Sequence, residues 1–138
     1  MSEPAGWALL ALASMVTLAS TARADAARGE RVFQRCYACH SVVAGETKLP
    51  GPNLRDVLGR RAGTLSGFAF SPAMIAAGAG GLTWTRATLD AYLANPQAVV
   101  PGTEMGMPGG LPSPVDRQDV IDYLAEAARS STTSPPSR

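Results

Sequence analysis

Cys36-Tyr37-Ala38-Cys39-His40 is the stretch from which the rest of the 138-residue chain can be read. Two thiols three residues apart on a helical turn share one face, near enough together to reach neighbouring vinyl groups of one porphyrin. The imidazole that follows is placed under such a ring, where a nitrogen can bind iron. Three other uses of these residues compete. A thioredoxin-like dithiol expects a βαβ setting, and no strand pattern flanks the pair. A zinc site needs a fourth ligand, and three near-adjacent residues cannot enclose a tetrahedral ion alone. A structural disulfide suits an exported chain but gives His40 no role. Covalent haem employs all three side chains.

Composition points the same way. The chain has the length of about one domain, at roughly 150 residues per domain. Its two cysteines and single histidine exclude Cys₄ iron–sulfur clusters, Cys₂His₂ zinc fingers and a multi-bridge disulfide scaffold. A formal charge of +1 gives no general nucleic-acid surface. Only 6% of residues are aromatic, so side chains alone offer few large rings to fill a core. A buried porphyrin supplies that missing apolar body, at ~25 cal/mol per Å² of apolar area, and predicts a poorly folded chain without it.

Upstream, Trp7 to Ala19 is an uncharged apolar run of 13 residues. A bilayer span needs roughly 20, so the run reads as the apolar segment of a secretory leader. Ala22-Arg23-Ala24 provides a small–x–small cleavage pattern, and the mature chain is expected to begin at Asp25. Glu3 and the lack of a basic residue before the run disagree, and leave an uncleaved, membrane-anchoring leader as the alternative. The expected organisation is a signal peptide at 1–24, one domain at 25–129, and a disordered tail at 130–138, whose SSTTSPPSR end has no apolar period.

Within the domain the pattern is all-α: four to five short helices and long loops. Asp25 caps a first helix from Ala26 to about Cys39. Glycines and prolines then punctuate residues 41–70, with a helical turn expected at Leu54–Leu58. Ser71-Pro72 starts a turn to Ala77, and Thr85 starts a helix carrying Leu89, Tyr92 and Leu93 on one face, ended by Asn95-Pro96. Gln97 to Pro112 is irregular. Ser113-Pro114-Val115-Asp116 resembles a capping box and launches a last helix to about Arg129, with Val120, Ile121, Leu124 and Ala128 as its apolar stripe and its charges as a solvated face. Two irregular segments this long in so small a domain need something besides side chains to organise them.

A haem iron held by His40 has a sixth position, and no second histidine exists to fill it. Met74, Met105 and Met107 are the thioethers of the mature chain. Any one methionine is more often core filler than ligand. Met105 and Met107, however, sit in the glycine-rich PGTEMGMPGG loop, which has little core of its own and makes sense folded across a ring face. His/Met ligation raises the reduction potential and favours electron transfer over oxygen chemistry.

From Gly29 to about Ala127 the residues resemble a class I c-type cytochrome of the mitochondrial and bacterial periplasmic type. CYACH, Gly51-Pro52-Asn53-Leu54, Trp84 with Thr88-Leu89…Tyr92-Leu93…Asn95-Pro96, and Pro101-Gly102-Thr103-Glu104-Met105 occur in family order. The resemblance implies that Cys36 and Cys39 bond one haem c and that His40 and Met105, rather than Met107, ligate its iron. It also implies that the Pro52 carbonyl accepts a hydrogen bond from His40, and that Arg60 and Trp84 meet a propionate. Gly29 and Phe33 are then expected to cross the last helix at Val120 and Tyr123, with the Tyr92 hydroxyl and Thr103 near the methionine ligand. Phe70 departs from a common tyrosine, Met74 from a common polar residue and Glu104 from a common lysine. Lys48 is the only lysine, although Arg55, Arg61 and Arg86 add some positive field.

The function these readings imply is a periplasmic, monomeric, single-haem electron carrier, not an enzyme. Its partners are a redox donor and acceptor, membrane-bound complexes or periplasmic dehydrogenases and oxidases, and not nucleic acid. A haem c subunit bound to a larger oxidoreductase is the alternative, and a haem enzyme or gas sensor with an open sixth site is a third.

Overall fold

The computed structural model describes residues 25–130. The expected leader, and the tail from residue 131, lie outside the described residues. Five helices are present among them: α1 (residues 25–33), α2 (Pro72–Ala79), α3 (Arg86–Ala94), α4 (Pro96–Val99) and α5 (Pro114–Arg129). The nearest thing to a strand among the described residues is one antiparallel bridge between Arg61 and Thr83.

Three starts follow their sequence signals. The Ser71 hydroxyl accepts from the Met74 N–H ahead of Pro72, and Ser113 accepts from the Asp116 N–H ahead of Pro114. Thr85 and Thr88 form a reciprocal capping box at α3. Each cap satisfies a helix N–H that has no partner inside the helix.

Three expectations need correction. The first helix stops at Phe33 rather than near Cys39, because its bonds shorten to three-residue spacing: Cys36 N–H to Phe33 O at 2.7 Å, Cys39 N–H to Cys36 O at 3.0 Å. Asp25 lies within α1 rather than before it, and its carboxylate pairs with Arg28. Leu54–Leu58 forms turns instead of a helical turn, since Asp56 takes φ +58°, outside the right-handed helical region. In addition, Asn95 ends α3 as expected but also caps α4, accepting from the Ala98 N–H, so the stretch from Gln97, expected to be irregular, is helical as far as Val99.

Packing starts at the crossing of α1 and α5. A Cβ on Gly29 would lie 1.9 Å from the Asp119 carbonyl oxygen and 2.8 Å from Tyr123 Cβ, so only glycine permits this approach. Phe33 packs beside it with its ring centroid 5.2 Å from that of Tyr123. Phe33, Val100, Val120 and Ile121 are the most deeply buried large side chains.

The charges of α5 are not a uniformly wet face. Asp119 is 6% exposed and takes a 3.0 Å bond from Arg28 Nε. Arg117 bonds Asp90 on α3 at 2.9 Å and the Leu111 carbonyl at 2.8 Å, while Arg86 pairs with Asp122 at 2.7 Å. These bonds join α5 to α1, to α3 and to the loop before it. Residues 41–70 are anchored by distant backbone: Leu54 N–H to Ser41 O, Gly59 N–H to Trp84 O, Trp84 N–H to Arg60 O and Ala62 N–H to Leu82 O. Gly78 of α2 is pressed against the Ala62 carbonyl, which a Cβ would meet at 1.9 Å.

Candidate functional site

The turn after α1 delivers the three residues of the pentapeptide to different depths. The Cys36 carbonyl accepts from both the Cys39 N–H and the His40 N–H, at 3.0 and 2.8 Å. Cys36 is left half-buried, Cys39 exposed and His40 9% exposed, and neither thiol is in a disulfide. All three border one cavity of about 320 Å³.

His40 Nδ1 lies 2.7 Å from the Pro52 carbonyl oxygen. A carbonyl can only accept, so Nδ1 carries the proton and Nε2 keeps its lone pair. Burial pushes the imidazole pKa down, against a smaller upward pull from Pro52. The ring is therefore neutral and competent to bind a metal. Gly51 holds it from behind: its N–H bonds the Cys39 carbonyl at 2.7 Å, and a Cβ there would lie 2.6 Å from His40 Cε1. Burial also pushes up the Cys36 thiol pKa.

The same cavity is bordered by Pro52, Arg60, Trp84, Tyr92, Thr103 and Met105, the residues expected around a haem. Trp84 and Arg60 reach it as a unit, tied through the 2.9 Å bond between their backbones. The Arg60 guanidinium donates to the Asn53 and Arg55 carbonyls, and burial lowers its pKa against the opposing field of Asp56. Among the described residues no carboxylate lies within ion-pair distance of it, and the Trp84 indole N–H makes no hydrogen bond. Phe70 and Met74, the two departures, also line the cavity.

Tyr92 and Thr103 join by a buried hydroxyl bond of 2.7 Å, and the Met105 N–H points to Thr103 Oγ1 at 3.4 Å. Gln97 clamps the start of this loop, donating to the Thr103 carbonyl at 2.9 Å and accepting from the Gly102 N–H at 3.0 Å. Gln97 and Gly51 escape sequence reasoning, because a glutamine after a proline and a glycine in a loop carry no chemical signature. Met74, Met105 and Met107 all border the cavity.

The donor set fits a covalently attached haem. Two free thiols, one oriented neutral imidazole, nearby thioethers and a guanidinium with no carboxylate partner among the described residues open onto one mainly apolar space. Among the described residues no group of three or more His, Cys, Asp or Glu side chains is placed to hold a bare metal ion.

The family model described as Cytochrome c matches residues 26–128. The chain belongs to the cytochrome c family. Cytochrome c2 of Rhodomicrobium vannielii is 46% identical over 120 residues, which cover 86% of this chain and 91% of that one. Cytochrome c2 iso-2 of Magnetospirillum molischianum is 50% identical over 101 residues, covering 73% and 96%. The solved structure of cytochrome cH from Methylobacterium extorquens superposes with a TM-score of 0.66 at 41% identity, over 73% of this chain and 97% of that one. This class I cytochrome accordingly has the small all-α fold and carries one covalent haem c with its iron. It is a single-haem electron carrier that works with redox partner proteins.

Proposed function

We propose that this cytochrome is a monomeric periplasmic carrier, moving one electron at a time between redox proteins and making no substrate bonds. In this reading Cys36 and Cys39 hold the haem through thioethers, and His40 and Met105 ligate its iron. Residues 1–24 act as the export leader, 25–129 as the working domain and 130–138 as a tail. The single observation that carries the His40 assignment is the 2.7 Å contact of His40 Nδ1 with the Pro52 carbonyl. It commits one nitrogen to the protein and reserves the other for iron.

When bound, the haem supplies a ferrous/ferric couple at one metal. The chain supplies the surroundings. The Pro52 carbonyl fixes the imidazole tautomer and raises the basicity of His40 as a ligand. Mainly apolar walls exclude water, which limits the solvent rearrangement each charge change demands. Arg60 has donors to spare beyond its two carbonyls, and with the Trp84 N–H it is positioned to receive a propionate carboxylate. Gln97, Thr103 and Tyr92 hold the entry to the ligand loop, so Met105 leaves a fixed base.

The test is Met105→Ala in haem-loaded protein. The expected result is a lower reduction potential and an altered ferric sulfur-to-iron absorption band. Unchanged values in Met105→Ala, with their loss in Met107→Ala, would reassign the ligand. Export is tested by the mature N-terminus of protein secreted by a haem-attaching host, expected at Asp25.

A further inference from the structure

Three thioethers border the cavity that holds the single histidine, and ligation at Met105 uses only one of them. Met74 is fixed in α2, where it is 8% exposed and its N–H bonds Ser71. Met107 is placed differently. It is half-buried, packs against the core beside Met105, and is separated from it by Gly106 alone. The Met107 N–H bonds the Met105 carbonyl at 2.9 Å, which closes a tight turn with both side chains on the cavity wall.

The segment carrying the pair is held only at its ends. Upstream lie the Gln97 clamp and the Tyr92–Thr103 hydroxyl bond. Downstream, the Leu111 N–H bonds the Leu93 carbonyl at 2.7 Å. Between them, the hydrogen bonds of residues 104–109 among the described residues stay within the loop: Met105 to Thr103, Met107 to Met105 and Gly110 to Met107. A Cβ at Gly106 would meet nothing within 4 Å, so the turn borders open space on that side. The loop can therefore move its middle without breaking a bond to any helix.

We propose that Met107 is a second thioether donor for the haem iron, able to take the axial position when Met105 does not hold it. This rests on the Met105 reading above. Met105 prevails because it leaves the loop two residues from the Thr103 anchor, whereas seating Met107 orders two more residues of free backbone. The side chains are chemically identical, so chain entropy alone ranks them. Removal or oxidation of the Met105 thioether leaves Met107 as the nearest unblocked donor on the same loop. The consequence is an electron carrier whose iron stays six-coordinate, and closed to small gases, after loss of its first thioether.

The experiment uses haem-loaded wild type, Met105→Ala, Met107→Ala and the double variant, each with ¹³C-labelled methionine methyl groups. Read-outs are the ferric sulfur-to-iron band and the ring-current-shifted methyl resonance of the reduced protein. Expected are an unchanged band in Met107→Ala, a displaced but persistent band and a shifted methyl in Met105→Ala, and loss of both in the double variant. Loss of both in Met105→Ala, as complete as in the double variant, overturns the proposal and leaves the Met105 ligand intact. Persistence in the double variant also overturns it and passes the role to Met74. Loss in Met107→Ala with Met105→Ala unchanged overturns the Met105 reading itself.

Discussion

At the level of single residues, the site is governed by a few buried hydrogen bonds whose partners are all named. Tyr92 is the most exposed to test. Burial holds its hydroxyl pKa above the ordinary value of about 10, outweighing the opposing bond from Thr103. A tyrosine whose folded pKa is raised contributes stability in full below the unfolded pKa, and loses it as pH climbs toward the folded one. Tyr92→Phe also deletes one end of the 2.7 Å bond to Thr103, at a cost of about 1 kcal/mol. The expected outcome is a lower denaturant midpoint at pH 7 and a shallower further decline above about pH 10 than in the wild type. Guanidinium titrations of the haem-loaded protein at the two pH values check both parts; an equal alkaline decline refutes the assignment. The pentapeptide was legible at this scale, since its chemistry is carried by residue type, and Pro52 through the resemblance of the Gly51-Pro52-Asn53-Leu54 segment. Gln97 and Gly51 were not, because their roles are positional.

Helices are where local signals and long-range packing part company. Ser71-Pro72, Thr85 and Ser113-Pro114 announce α2, α3 and α5 through caps that need only neighbouring residues, and all three form where expected. The end of α1 is different. Its early stop is set by three-residue bonds that draw Cys36 and His40 toward the cavity, a demand that no propensity encodes. The α1–α5 crossing yields a direct prediction. Gly29→Ala gains about 1 kcal/mol of helix propensity but drives a methyl to within 1.9 Å of the Asp119 carbonyl oxygen, a backbone atom that cannot rotate aside. Separating the helices strains the Arg28–Asp119 bond and the Phe33–Tyr123 contact. Overpacking of this kind costs about 1–3 kcal/mol, so the net effect is destabilisation, read as a fall in melting temperature. A melting temperature equal to or above wild type would mean that the crossing is looser than described.

For the molecule as a whole, the decisive fact is that helices cover only part of the chain while one cavity gathers residues from every loop. Residues 41–70 and 100–112 close around it with backbone bonds that run between segments distant in sequence. Without the apolar haem against the cavity walls, those loops have little to close upon, and helices as short as α2 and α4 are marginal in water. The haem-free chain, made in a host that supplies no haem, is therefore expected to show much weaker far-ultraviolet helical signal and no cooperative melt. A sharp two-state melt with native helical content would show that side chains alone suffice. The amino-acid sequence by itself determined the covalent attachment motif, the three capped helices, the all-α class and the stock of possible iron ligands, because each depends on residue types at short spacing. Tertiary structure alone decided that Asp119 and Arg117 are cross-helix ties, that Gly51 and Gly78 are contact points, and that three methionines border one space. Those outcomes depend on which distant segments meet, and that is settled by packing around a shared centre.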